Sequence, residues 1–367
     1  MLNSNNSTDL TKADLHSHTY YSILRIPKLR GNHFVQDSAL SPKLLVKLAR
    51  KKKIDAIALT DHNNMNGIKP FLHYASKYKD IIPIVGQEVT KYDKNRKAWA
   101  HVLTYGMKKI PWKIRFQPLP EFLEYLDDNN AVYVLAHPFD LSQSAPGGGY
   151  SHKTYRINFS VLKRFRMIEI VNGLQPKRHN YLAQIIAREL HLPGIAGGDN
   201  HHPKMVGRCF TYVEGSTEEE ILEYLRKVKK NPQNYKIRTT GTGSTPKIWN
   251  EWFFYVLLNL EKNLRYDIYR HLNPSKDLPI GNPIYDKLYF NIPVLPKILV
   301  QAALPYVFWA LLAGAKIWGP RVLRQSSKKE VKVLKSLIYH QAMQENQDIF
   351  TLDLPFSEED RLLFQQI

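Results

Sequence analysis

Ala13-Asp14-Leu15-His16-Ser17-His18 is a short, largely apolar stretch that ends in two histidines, and the same arrangement recurs along the chain. Apolar runs of this length are typical of buried parallel strands. Five more runs end in histidine or a carboxylate, so the polar residues at the six ends are His16, His18, Asp61, His62, Glu88, His101, His137, Asp199 and His201. In an α/β barrel, functional side chains gather at the carboxyl ends of the strands. The pattern therefore predicts a site for several metal ions.

The spacing within these stretches suits metal binding. His16 and His18 are two residues apart, and in a strand such residues face the same side, so both imidazoles can reach one cation. Asp199 and His201 repeat this spacing. Glu88 is the predicted carboxylate that bridges two cations, as two-metal phosphoryl chemistry requires. One histidine at a strand end is more often structural than a ligand, but chance placement of the whole set is implausible.

The chemistry of these ligands leaves several metals open. Imidazole nitrogen and carboxylate oxygen without thiolate suit zinc, manganese, iron or magnesium in varying degree. The single cysteine, Cys209, excludes an internal disulfide and any cysteine-based zinc site. It also favours a reducing compartment, and the first seven residues lack the pattern of a secretory signal. The predicted location is therefore cytoplasmic, with membrane association left open.

Helical segments fall between the apolar runs. Ser41 and Pro42 precede residues with helical apolar spacing and mark a predicted helix start. Strands that alternate with helices predict a parallel sheet. This alternation stops after residue 235, so the predicted organisation is a tail over residues 1–12, a barrel over 13–235, a linker over 236–247 and a mainly helical region of unknown role over 248–367.

Positive charge is concentrated in the first part of the chain. The formal net charge is +19, of which residues 1–240 carry +16 with 37 basic and 21 acidic side chains. A positive field of this kind attracts phosphate esters, nucleotides or RNA. A single lysine cluster is better explained as a solvated helix end, where the helix dipole favours lysine, but the excess over the whole domain is harder to dismiss.

The ordered motifs resemble the polymerase and histidinol phosphatase (PHP) family over about residues 12–215. The stretches that carry the resemblance are Asp14-Leu15-His16-Ser17-His18-Thr19, Leu59-Thr60-Asp61-His62-Asn63, Gly86-Gln87-Glu88, Ala136-His137-Pro138 and Gly198-Asp199-Asn200-His201. Each motif is weak by itself, whereas the ordered set is specific. The resemblance implies a distorted (β/α)7 TIM-like barrel, up to three divalent cations and phosphoesterase activity.

The resemblance also implies which residues hold each cation. The first cation would bind His16, His18, Glu88 and Asp199. The second would share Glu88 and also bind His101 and His137. The third would bind His62 and His201. The third set needs one more ligand. Many relatives carry Asp or His about six residues after the second motif histidine, but Ile23 and Leu24 stand there. Asp37 replaces that ligand if residues 24–36 are an insertion; otherwise the third site is weak or absent.

The leading functional hypothesis is metal-dependent hydrolysis of a phosphate ester, in which a metal-bound hydroxide attacks phosphorus. The candidate catalytic residues are Asp61, His62, Glu88 and His201. The candidates for binding the substrate phosphate are Arg156, Lys177 and Arg178, because cationic side chains hold phosphate oxygens. The substrate would be a nucleotide, a short oligonucleotide or a small phosphomonoester.

Two alternatives belong to other classes. The net charge and the aromatic C-terminal region suit a nucleic-acid-binding or scaffold module that keeps its metals for structure. Residues 295–318 include 18 successive residues that are mostly apolar, at the short end of membrane-spanning lengths. They suggest a membrane-recruited phosphatase, although a buried helical subdomain or a contact between copies of the chain explains them better. A glycine-rich segment within residues 140–158 is either a loop over the site or a surface insertion.

Overall fold

The computed structural model describes residues 10–25, 34–93, 98–107, 109–115, 117–140, 150–151, 156–157, 159–231 and 238–241. The strands are β1 (Thr11–Asp14), β2 (Ile23–Arg25), β3 (Phe34–Gln36), β4 (Ala56–Leu59), β5 (Ile82–Asp93), β6 (Ala98–Tyr105), β7 (Val132–Leu135), β8 (Tyr150–Ser151), β9 (Arg156–Ile157), β10 (Ile168–Asn172), β11 (Gly194–Gly197), β12 (Cys209–Val213) and β13 (Arg238–Gly241). The helices are α1 (Pro42–Lys51), α2 (Ile68–Ala75), α3 (Trp112–Arg115), α4 (Leu119–Asp128), α5 (Phe159–Leu162), α6 (Lys177–Glu189) and α7 (Glu218–Lys230).

Nine strands form one sheet in the order β11-β10-β7-β6-β5-β4-β1-β12-β13. Beyond the ends of β1 and β11, Ser17 and Asn200 form a parallel bridge, and His18 N donates to Asn200 O at 3.1 Å. Strand β11, at one end of this order, therefore approaches β1, the third strand from the other end, and the sheet is a nearly closed barrel. This confirms the predicted α/β barrel-shaped fold, while the exact (β/α)7 count stays a prediction.

The strand directions depart from strict alternation with helices. Strand β6 is antiparallel to both β5 and β7, and β12 is antiparallel to both β1 and β13. The remaining neighbours in the sheet are parallel. The antiparallel hairpin β5–β6 has a direct effect on the site, because it carries two of the predicted ligands.

Glu88 and His101 lie inside strands rather than at their ends, which corrects the strand-end prediction for these two residues. Strand β5 pairs with β4 only as far as Leu59 and Val85, and then continues to Asp93 along β6. No turn-forming residue interrupts the chain directly after Glu88, so the backbone stays extended. Glu88 still reaches the rim of the barrel, because its neighbour β4 ends there and His62 forms an isolated bridge with it.

Both faces of β4 are buried, which explains its unbroken apolar sequence. Ala56 and Ala58 belong to the apolar core that includes Ile221 and Leu225 of α7, whereas Ile57 and Leu59 pack with α1 and α2. Successive residues of a strand face opposite sides, so the small alanines and the larger residues separate into two layers. At the start of α1, Ser41 Oγ accepts a hydrogen bond from Leu44 N at 3.1 Å, which confirms the predicted helix start.

Residues 238–241 lie within the predicted linker but form β13, paired with β12. Thr239 and Thr240 are β-branched and suit a strand. At Gly241, where φ is +151°, a Cβ atom would lie 2.5 Å from Cys209 Sγ, so the close approach of the two strands requires glycine. The sheet therefore extends beyond residue 235, and the division into domains stays a prediction.

Several sequence predictions lie outside the described residues. They concern the tail up to residue 9, most of the glycine-rich segment, the rest of the linker and the region 248–367 with its apolar stretch 295–318. Within the described part of the chain, no helix is both long enough and apolar enough to cross a membrane.

Candidate metal centre

The structure brings the predicted ligands together as one buried cluster at the rim of the barrel. Each is at most 4% exposed, and the members are His16, His18, Asp37, His62, Glu88, His101, His137, Asp199 and His201. Side chains of this polarity are rarely buried unless they bind one another or an ion. We name this set the histidine–carboxylate cluster.

Glu88 lies at its middle. Five histidine nitrogens face its two carboxylate oxygens, and a single cation at each oxygen would make Glu88 a bridge. Oε2 lies 3.1 Å from each of three nitrogen atoms, namely His16 Nε2, His18 Nε2 and His62 Nδ1. Oε1 lies 2.8 Å from His101 Nδ1 and 3.0 Å from His137 Nε2. This geometry supports the predicted bridging role.

Asp199 is the second carboxylate of the cluster. Its Oδ1 lies 2.9 Å from His201 Nε2, 3.3 Å from His18 Nε2 and 3.5 Å from His16 Nε2. Strand β11 has already ended at Gly197, and Asp199 has φ +48°. The left-handed conformation is one that Asp adopts more readily than most residues. Asp199 and His201 are therefore brought together by a turn rather than by strand periodicity.

Asp37 joins the cluster from the segment that follows β3. Its Oδ2 lies 3.3 Å from His62 Nε2 and 3.6 Å from His201 Nδ1. Residues 23–36 contain the antiparallel pair β2 and β3, which accounts for the extra length between His18 and Asp37. The geometry supports the proposal that Asp37 completes a third group with His62 and His201.

The contact between His16 and His18 tests whether the residues of the cluster suit a cation. His16 Nδ1 lies 2.9 Å from Glu169 Oε1, so its proton belongs there and Nε2 carries a lone pair. That Nε2 faces His18 Nε2 at 3.0 Å. His62 Nδ1 and His101 Nδ1 are buried and have no hydrogen-bonding partner despite their closeness to Glu88. Converging lone pairs of this kind are stabilised by protons or by cations, so the donor set fits divalent metal ions.

Four groups of three ligand atoms lie within 4.8 Å of one another, and each is wholly buried. They are His16, His18 and Glu88; His16, His137 and Asp199; His62, Glu88 and His101; and His18, His62 and His201. The groups overlap, as expected for a centre that holds more than one cation.

Charges within the cluster shift the pKa of its members strongly. Burial raises the pKa of Glu88, but His62, His101 and His16 outweigh burial and hold it well below its usual range. Burial lowers the pKa of His62, yet Glu88 and Asp37 raise it to about 9. His101 differs, because burial is the largest effect and lowers its pKa to about 4. Carboxylates in the centre are therefore ionised at neutral pH, ready to bind cations.

We expect cation affinity to fall as the pH decreases from about 9 to about 6. The pKa of His62 and of His137 is raised to about 9, so without a bound cation both imidazoles are protonated below that pH. A cation must displace these protons, and the competition grows with each pH unit below the raised pKa. Competition with a chromophoric chelator across this range measures the effect, and proton release in weak buffer should accompany binding. An affinity that is constant over the range contradicts the prediction.

Glu169 contacts the cluster and was missed by the sequence interpretation. It is 1% exposed and is the second residue of β10, away from the carboxyl end of that strand. Oε1 accepts the proton of His16 Nδ1, while Oε2 accepts from His137 N at 2.9 Å and from Asn172 Nδ2 at 2.8 Å. Asn172 Nδ2 also lies 3.1 Å from Asp199 Oδ2. A charged residue inside an otherwise apolar run was the signal that could have revealed it.

Other buried polar groups form hydrogen bonds with residues of the cluster or with the backbone next to them. Ser22 Oγ lies 3.1 Å from His18 Nδ1 and accepts a hydrogen bond from His62 N at 3.2 Å. Asp14 accepts from Gly198 N and from Asn200 Nδ2, both at 2.7 Å, and burial raises its pKa to about 6. These contacts join the end of β1 to the segments that carry the partner ligands.

The other predicted site residues occupy different places. Asp61 accepts hydrogen bonds from Thr19 N at 2.6 Å and Thr19 Oγ1 at 2.8 Å, and burial raises its pKa to about 7. It therefore holds the backbone directly after His18, and its catalytic role stays a prediction. Lys177 is exposed at the start of α6, Arg178 follows it, and Arg156 begins β9. Phosphate binding by these three residues also stays a prediction.

Two family models match the chain. Residues 14–114 match the PHP domain, and residues 177–229 match the PHP-associated family. The first segment contains the ligands from His16 to His101, and the second contains helices α6 and α7.

Individual proteins share parts of this similarity. An uncharacterized protein of Methanocaldococcus jannaschii is 46% identical over 57 residues, which are 15% of this chain and 31% of that protein. The match thus spans about a third of the length of this curated relative. Among solved structures, a two-domain protein of Bacteroides vulgatus containing a predicted PHP-like metal-dependent phosphoesterase has a TM-score of 0.46 at 16% identity, over 66% of this chain and 69% of its own. PsfC from Pseudomonas syringae has a TM-score of 0.44 at 17% identity, over 67% and 97%.

Proposed function

We propose that the chain is a metal-dependent hydrolase of phosphate esters, on the premise that residues 14–114 match the PHP domain, as the motifs predicted. The main support for this proposal is the environment of Glu88, where five histidine nitrogens lie within 3.1 Å of one buried carboxylate. Such a set binds cations that act in pairs on phosphoryl oxygens. The +16 charge of residues 1–240 supports an anionic substrate.

We assign the cluster to three cation positions, of which the third depends on Asp37. The proposed sets are His16, His18, Glu88 and Asp199; Glu88, His101 and His137; and Asp37, His62 and His201. When bound, divalent cations of this kind neutralise charge on phosphoryl oxygens and lower the pKa of a water molecule. Zinc, manganese, iron and magnesium all remain candidates, and so do two or three ions.

The protein's own residues then provide orientation and shielding. Glu169 keeps the proton of His16 on Nδ1, so that Nε2 is free to bind. Asp61 holds Thr19 and thereby the loop after His18. The near-complete burial of the cluster limits the water around it, which strengthens its electrostatic interactions. The proposed catalytic residues remain Asp61, His62, Glu88 and His201. The proposed substrates remain nucleotides, short oligonucleotides and small phosphomonoesters.

The decisive experiment is phosphate release by the full-length protein after loading with each candidate metal. The panel should contain 3′,5′-bisphosphates, mononucleotides, histidinol phosphate and short RNA. We expect turnover of at least one ester, its loss after chelation, and its loss in His16→Ala. His73→Ala is the matched control, because His73 is an exposed histidine on α2. The proposal fails if no ester is cleaved, or if His16→Ala and wild type behave alike.

The charge of residues 1–240 also supports a second candidate, a nucleic-acid-binding or scaffold module with structural metals. Salt-dependent binding of RNA without turnover of any ester would favour it. Three further predictions remain: recruitment to a membrane, association between copies of the chain, and a cytoplasmic location. The arguments for them rest on composition or on regions outside the described residues. Liposome flotation before and after deletion of residues 290–367 tests the first of them.

A further inference from the structure

We propose that Arg115 binds the phosphate group of the substrate at the rim of the metal centre, an inference that rests on the proposed phosphoesterase function. Arg115 ends α3, and its guanidinium is half-buried. Nη1 donates to Asn63 O, while Nε is shielded from solvent and has no hydrogen-bonding partner. A cation that loses water without gaining an anion is costly, so an unfilled donor here suits an anionic ligand.

The electrostatic surroundings distinguish Arg115 from Arg50 and Arg226. Burial lowers the pKa of Arg115, and no carboxylate among the described residues offsets that effect. Arg50 instead donates to both oxygens of Asp80, and Arg226 lies 2.6 Å from Glu219. Arg115 therefore retains the charge and the donors with which a guanidinium binds phosphate oxygens in pairs.

The position of Arg115 follows from Asn63, which comes directly after His62. Asn63 N donates to Glu88 O at 2.8 Å. Its side chain accepts from Thr90 N at 2.9 Å and donates to Thr90 Oγ1 at 3.0 Å. These contacts fix the carbonyl that Arg115 uses against the strand that carries Glu88. The guanidinium of Arg115 is thus hydrogen-bonded to the residue that directly follows His62, a member of the histidine–carboxylate cluster.

Lys91 fixes the backbone of the same segment. Its Nζ donates to Arg115 O at 2.7 Å and to Gln117 O, and it lies 4.5 Å from the centre of the Phe122 ring. Lys91 is itself only three residues from Glu88 on β5. Arg115 is therefore held at both its backbone and its guanidinium, and a preorganised cation of this kind binds an anion with less loss of side-chain entropy.

The test compares Arg115→Ala and Arg115→Lys with Arg226→Ala in the full-length, metal-loaded protein. Arg226 is a matched control, because its guanidinium also donates to the carbonyl of an asparagine, through Nε to Asn130 O, but acidic side chains neutralise it. Calorimetry with inorganic phosphate gives a readout independent of turnover. We expect Arg115→Ala to weaken phosphate binding and raise KM by about 10- to 100-fold, with metal content unchanged. Arg115→Lys should recover part of the loss, and Arg226→Ala should bind as wild type does.

Two results would overturn the assignment: unchanged phosphate affinity in a folded Arg115→Ala, or no phosphate binding by the wild type. If Arg115→Ala does not fold, Arg115→Lys decides, since it preserves charge but removes the paired donors. Phosphate binding that requires Arg115, together with no turnover of any ester, would support the anion site while the proposed function fails. Turnover of an ester with the same KM in Arg115→Ala and wild type would support the proposed function and contradict the role of Arg115.

Discussion

Glu88→Gln is expected to remove most of the bound metal and to lower kcat/KM on the order of 10³-fold, equivalent to several kcal/mol of transition-state stabilisation. A glutamine has one carbonyl oxygen and one amide group that carries only donors. Its carbonyl oxygen can therefore replace one oxygen of Glu88, but its amide group cannot replace the other. It also lacks the negative charge that opposes repulsion between cations bound close together.

Metal content per chain and phosphate release, measured on the same preparation, test this prediction. Glu124→Gln is the control, because it makes the same chemical change at an exposed position of α4. Circular dichroism must show that Glu88→Gln is folded. Full metal content with wild-type turnover in the folded variant would refute a bridging role for Glu88.

Glu169→Gln is expected to weaken metal affinity by about 10- to 100-fold, the usual effect of removing a partner that orients a metal ligand. Glu169 accepts from His16 Nδ1 with one oxygen and from His137 N with the other. Glutamine can accept at only one of these positions and presents an N–H at the other. If that N–H faces His16, the imidazole proton must move to Nε2, the atom that points into the cluster.

Metal affinity measured by chelator competition is the readout here, with turnover as a second measurement. Glu218→Gln is the matched control: Glu218 Oε1 accepts from Val85 N at 2.7 Å, and a glutamine can still accept that bond. We expect Glu218→Gln to bind metal as tightly as wild type. Equal affinity in Glu169→Gln and wild type would show that Glu169 has no positioning role.

Much of the candidate site could be predicted because its residues follow apolar runs. His16 and His18 were predicted from a strand spacing, and they do meet, although β1 ends at Asp14 and both follow it. Asp37 was predicted from the family resemblance, because Ile23 and Leu24 stand where relatives carry the ligand. Glu169 could not be found this way, because it lies within a strand and its partners are distant in the sequence. Arg115 was also missed, since its position depends on the carbonyl of Asn63 and not on any local pattern.

Local patterns were enough to predict the candidate ligands and the alternation that builds an α/β fold, because apolar runs, helix starts and side-chain chemistry are local properties of the chain. Which of these residues meet depends on the tertiary structure. Contact between His16 and Asp199 requires the end of β1 to reach the end of β11, and the bridge between Ser17 and Asn200 shows that it does. Closure of a sheet depends on register and on contacts between distant segments, and no single stretch of sequence contains that information.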